Sequence, residues 1–210
     1  MRLATLLAAA TVIGGCAKAG GPGGAGGVPL RSAARGVVVL GGTDRYAVTG
    51  RTIAEISRSL RAAGQREGGF AGHYSSTFRW SYRYVSSATS SACRMADFRI
   101  EVLSTIRIPD WKRASDAPLE LVQRWAAFFN NLMDHERQDE RIALEAAAEL
   151  SRTFQRMSAM SCGDLGREAN REGERQLEQM RLRQGRYDEE TRHGATTGAV
   201  WPPQAPVRME

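Results

Sequence analysis

The chain has 210 residues, 42% of them hydrophobic and 25% charged, enough for one core of ordinary size and one domain. Its formal charge of +6 would suit a nucleic acid, but the arginines alternate with acids, as in "REANREGERQLEQMRLRQGRYDEE". Such alternation makes solvated helix faces, not a basic patch, and excludes nucleic acid as a partner.

At the N-terminus, "MRLATLLAAATVIGGCAKAGG" has a positive residue, an apolar run too short to span a bilayer, and small residues before Cys16. This is export-signal architecture over residues 1–15. "IGGC" is similar to a bacterial lipobox, which predicts lipid attachment at Cys16, a membrane as partner, and a place in the cell envelope facing the periplasm. The alternative is a plain signal peptide cut near the same point. Residues 16–35 are glycine-rich and read as a flexible tether.

The region from 36 to 199 is expected to be a single α+β domain, with an antiparallel sheet and one helix first and a helical half afterwards. "GVVVL" and "RYAVTG" read as short strands separated by Gly41 and Gly42. Thr52 caps a helix carrying Ile53, Ile56 and Leu60, which ends at Gly64. "STFRWSYRYVS" and "CRMADFRIEVLSTIRIP" read as two antiparallel strands joined around "SSATSSA". Beyond Trp111 the period becomes helical, with Asp116 as N-cap and Pro118 in the first turn, and a further helix runs from about Gly163 to Tyr187. Residues 200–210, "VWPPQAPVRME", have the proline spacing of an extended tail. In an oxidising compartment, Cys93 and Cys162 are the pair left to form a disulfide. The competing role, as two zinc ligands, lacks the paired spacing of structural zinc sites.

"LMDHERQDERIAL" begins as a zinc helix of the His-Glu-x-x-His type does, and then places Asp139 where the second histidine would fall. Steps of three and four from Trp125 run through Phe128, Leu132, His135, Asp139, Ile142, Ala146 and Leu150, so His135 and Asp139 project from the buried face. A buried aspartate needs a metal, a cation or hydrogen-bond donors. Glu136 lies one step round, where a general base for a metal-activated water belongs.

From about Tyr46 to Ala199 the chain resembles a group of bacterial predicted secreted zinc-dependent proteases of otherwise unassigned function. The likeness rests on "YAVTGRTIAEISRSLRAAG", "FAGH" followed by "FRWSYRY", Cys93 and Cys162, "IPDW", "LMDHERQD" and "YDEETRHGATTGA". It implies a zincin-like helix with His135 as first zinc ligand, Glu136 as base, and Asp139 at the position of the second histidine. It also makes His193, in the second motif, the candidate third ligand, with Asp188 orienting an imidazole from behind the ligand shell. Tyr187 is a candidate donor to an oxyanion, and His73, near a strand start, has a structural role.

Two readings of function stay open. In the first, the chain is an envelope-associated zinc metallopeptidase acting on a peptide or protein substrate, with His135, Asp139 and His193 holding the ion. In the second, it is a non-catalytic envelope lipoprotein, a binding or assembly module on a peptidase-derived scaffold.

Overall fold

The computed structural model describes residues 29–30, 34–64 and 69–203. The expected signal peptide, Cys16, most of the glycine-rich segment and the end of the tail lie outside the described residues. In chain order the elements are β1 (Pro29–Leu30), β2 (Val37–Val48), α1 (Ile53–Gly64), β3 (His73–Ser86), β4 (Cys93–Trp111), α2 (Leu119–Arg156), β5 (Ser158–Ala159) and α3 (Cys162–Thr191), followed by a 3-10 turn at Ala195–Thr197. The architecture is α+β, a sheet with one helix and then a helical half.

The strand order is β1-β2-β4-β3, with β5 added to β4. β1 and β5 pair antiparallel with their neighbours. So do β3 and β4, because the connection closed by Ser87 N–H on the Ala92 carbonyl is too short for a parallel crossover. Between β2 and β4 the register is parallel: Ile100 donates to Gly36 and Lys112 donates to Val48, the same 64-residue offset at both ends. The sheet is therefore mixed, and α1 with β3 forms the crossover between its two parallel strands. Pro29 and Leu30, within the segment expected as tether, face Leu40 and Val39 of β2.

Two boundaries differ from expectation. β2 runs unbroken through Gly41 and Gly42, since neither glycine takes a positive φ; they serve as extended residues, not as a turn. Asp116 does not cap α2. The helix starts at Leu119 with Val122 N–H on the Pro118 carbonyl, and Asp116 instead meets Arg51 at 2.9 Å on the surface. Proline at the helix entry already fixes φ and lacks the N–H that a cap would satisfy. Thr52 does cap α1, accepting from Glu55 N–H at 3.2 Å, while Glu55 reaches back to Arg51 N–H.

Contacts divide the chain into two compact units. Unit 1 takes the described residues of Met1–Gly42, Ser76–Ser104 and Ile142–Arg181. Phe154 is fully buried and meets Phe98 and Tyr82 edge-on at 5.6 and 6.2 Å. Gly173 sits where a Cβ would strike the Trp80 ring, so a glycine that weakens α3 by roughly 0.5–1 kcal/mol permits close helix–strand packing. Cys93 and Cys162 form the expected disulfide, with Cα atoms 5.0 Å apart across 69 residues. Closing such a loop contributes roughly 4 kcal/mol in the chain-entropy account.

Unit 2 takes the described residues of Thr43–Ser75, Thr105–Arg141 and Leu182–Glu210. Its core joins Val48, Ile56, Leu60, Trp111, Phe128 and Leu132. Trp125 packs on Trp111, Phe128 and Trp201 at 5.3–5.6 Å between ring centroids. Trp201 and the buried Ala199 thus belong to this core, although the sequence places Trp201 in a tail. The aromatic cluster packs against the first turns of α2, N-terminal to His135, Glu136 and Asp139 on the same helix.

Candidate metal centre

The helical stripe holds. Phe128, Leu132, His135, Asp139 and Ile142 are all buried, as is Glu136 beside them. Exposure is 6% for His135, 4% for Glu136 and 8% for Asp139, so three ionisable side chains on adjoining turns of α2 lie almost without water. Such burial is costly unless partners repay the lost hydration. Two of the atoms, His135 Nδ1 and Asp139 Oδ1, have no hydrogen-bond partner among the described residues.

α3 brings the third member. Gln184, Asp188 and Thr191 follow one another at steps of four and three along its last turns. Gln184 Nε2 donates to the Asp139 carbonyl at 3.1 Å, Thr191 is buried, and Asp188 Oδ1 stands 3.3 Å from His135 Nε2. His135, Asp139 and Asp188 each offer a ligand atom, and these atoms lie within 4.8 Å of one another. One nitrogen and two carboxylate oxygens are donor types that zinc and other divalent first-row ions accept. Donors on one zinc stand ~3–4 Å apart, so the set needs only small side-chain adjustments to close on an ion. The buried, unpartnered Asp139 oxygen fits the same role.

This differs from the ligand set read from the sequence. His193 is not in the group: it is half exposed, its Nδ1 is 3.7 Å from Asp188 Oδ2, and its ring lies against Phe70. Asp188, expected behind the ligands, is one of the three clustered residues, and His193 lies on its far side from His135. The reason is the turn after α3, where Arg192, His193 and Gly194 all have positive φ and carry the imidazole outward. The sequence signal for Asp188 was the polar stripe Gln184–Asp188–Thr191 on an inward helix face. Tyr187 has a place that spacing did not reveal, stacked on the His135 ring at 4.9 Å and 24°. His73 is exposed at the start of β3, apart from the cluster.

Glu136 is held from the β3 side. The Tyr74 backbone N–H donates to its carboxylate, and Gly72 is bare because a Cβ there would collide with Glu136 Oε1 and Leu132. Burial, the largest cause, pushes the Glu136 carboxyl up to about 7; the Asp139 and Asp188 charges act in the same direction, and His135 and the Tyr74 N–H oppose them. Asp139 is likewise pushed up to about 7 by burial and then by Asp188, against His135. For His135, burial is the largest single cause and favours the neutral ring. The Asp188 contact and the charges of Glu136, Asp139 and Asp188 outweigh it, and its pKa is raised. A carboxyl that titrates near neutrality, beside a group of converging donors, is suited to accepting and returning a proton.

The profile of a family of bacterial proteins of unknown function, DUF922, matches residues 43–194. The chain belongs to the DUF922 family. The DUF922 match includes His135, Glu136, Asp139, Asp188 and His193, and it ends within the left-handed turn at Gly194. No curated protein and no solved structure matches the chain. Membership in DUF922 brings no assigned activity, so a functional reading rests on the residues themselves. Among the described residues no helix is long and apolar enough to cross a membrane.

Proposed function

We propose that this DUF922 chain is an envelope-associated, zinc-dependent hydrolase of peptide bonds, with His135, Asp139 and Asp188 as the residues that hold the ion. The observation that carries this reading is the approach of one donor atom from each of the three residues to within 4.8 Å of the others, in a buried site where Asp139 Oδ1 has no hydrogen-bond partner among the described residues. When bound, the ion would supply Lewis acidity, lowering the pKa of a water and polarising a carbonyl. Glu136 accepts the proton of the attacking water at its carboxylate and returns it to the leaving amine. Its place beside the three donors, within the same buried face of α2, suits both transfers. The Tyr74 N–H and the glycine at 72 hold that carboxylate in one place, and the Tyr187 ring holds the His135 imidazole.

The test is zinc-dependent cleavage of fluorescent casein by the full-length chain. Glu136→Gln should lower cleavage by about 10²-fold or more while leaving zinc affinity nearly unchanged, because it removes a base and no ligand. The burial of His135, Glu136 and Asp139 favours a second reading, a metal-binding module without hydrolysis. A chain that binds zinc and cleaves nothing supports that reading over the first. Placement in the envelope is supported by the signal architecture, the "IGGC" stretch and the disulfide. Cys16→Ala should abolish acyl labelling in cells, and equal labelling of variant and parent would remove the lipid anchor from the reading.

A further inference from the structure

The Asp188 carboxylate lies between two imidazoles. Its Oδ1 is 3.3 Å from Nε2 of the buried His135, and its Oδ2 is 3.7 Å from Nδ1 of the half-exposed His193. The second approach is longer than a hydrogen bond and within reach of one after a small rotation of the carboxylate, or through one water. What sets it apart is how His193 is held there. Arg192 and His193 have φ of 50° and 53°, and Gly194 follows at 80°. Left-handed backbone costs a residue with a side chain roughly 1–2 kcal/mol and persists only where its surroundings fix it.

Those surroundings are specific. His193 N–H donates to the Asp188 carbonyl at 2.7 Å, which ties the histidine to the aspartate through the backbone. The Thr191 hydroxyl donates to the Tyr187 carbonyl at 2.7 Å and accepts from Gly194 N–H at 3.2 Å. Phe70 lies against the imidazole at 4.7 Å between ring centroids, tilted by 36°. The turn therefore holds, in left-handed backbone, a ring nitrogen facing the outer oxygen of a carboxylate whose other oxygen faces His135 of the candidate metal centre.

We propose that His193 is a positioning residue for Asp188. Its Nδ1–H holds Oδ2, which leaves Oδ1 turned toward the ion. This inference rests on the metal-centre reading above. Carboxylates that bind metals are themselves held by hydrogen bonds, and loss of such a partner typically weakens metal affinity by about 10–100-fold.

Zinc affinity of the full-length chain, measured by competition with a chromophoric chelator, tests this with two substitutions. His193→Gly removes the donor and relieves the backbone, so the metal-free protein should be at least as heat-stable as the parent while zinc binding weakens about 10-fold or more. His193→Asn keeps a side-chain N–H donor on the residue type that best tolerates left-handed backbone after glycine, and should recover most of the lost affinity. His193→Gly binding zinc as tightly as the parent overturns the proposal. His193→Asn as weak as His193→Gly also overturns it, in favour of direct ligation by the imidazole. A parent chain that binds no zinc overturns the metal-centre reading and this inference together, whereas failure of the variants alone overturns only the inference.

Discussion

Glu136 and Asp139 are carboxyls whose protonated form the fold prefers, and this makes the protein's stability depend on pH in a definite direction. Both pKa values rise to about 7 in the folded chain from ordinary values of 4.5 and 3.8, with burial as the main cause. Between those limits these two carboxyls bind more protons in the folded state than in the unfolded state, so their contribution to stability is greatest below about 4 and is lost as pH rises through about 7. His135, also raised, acts in the same sense at the upper end of that window. Urea denaturation in the presence of a chelator should therefore give a lower midpoint at pH 8 than at pH 5, and saturating zinc should raise the midpoint at pH 8. An unchanged midpoint between the two pH values would show that these carboxyls are not buried as described. The pairing of His135 with Asp139 was legible in the sequence because a period of three and four fixes which side chains share a helix face. That Asp188, and not His193, lies beside His135 and Asp139 was not, because it depends on left-handed backbone at two successive residues, Arg192 and His193, a conformation rare enough for residues with side chains that composition does not announce it.

At the scale of elements, α2 joins core and chemistry on one surface: the stripe that buries Phe128 and Leu132 continues without a break into His135 and Asp139. Its apolar part positions its ionisable part, which is why the helix and its inward face could both be read from residue order. The strands were harder. Gly41 and Gly42 have the composition of a turn and the conformation of a strand, and neighbours across the sheet decide that outcome. The parallel pairing of β2 with β4 joins residues 64 apart in sequence, beyond the reach of any local pattern. Turn residues, by contrast, act locally, and the β3–β4 connection around "SSATSSA" appears where composition put it.

At the scale of the whole molecule, the residues of the candidate centre come from two distant stretches, α2 and the end of α3, and all of them fall within unit 2. The disulfide falls within unit 1. The DUF922 match extends over both stretches of the centre. That a divalent ion binds His135, Asp139 and Asp188 is the claim on which the rest depends, and zinc titration of the full-length parent beside Asp139→Asn tests it most directly. The substitution keeps the size of the side chain and removes its charge. The parent should take up one zinc per chain and the variant should bind it more weakly by about tenfold or more, since a carboxylate ligand becomes a neutral amide. A parent that takes up no zinc, or a variant that binds it as tightly as the parent, would rule out this centre.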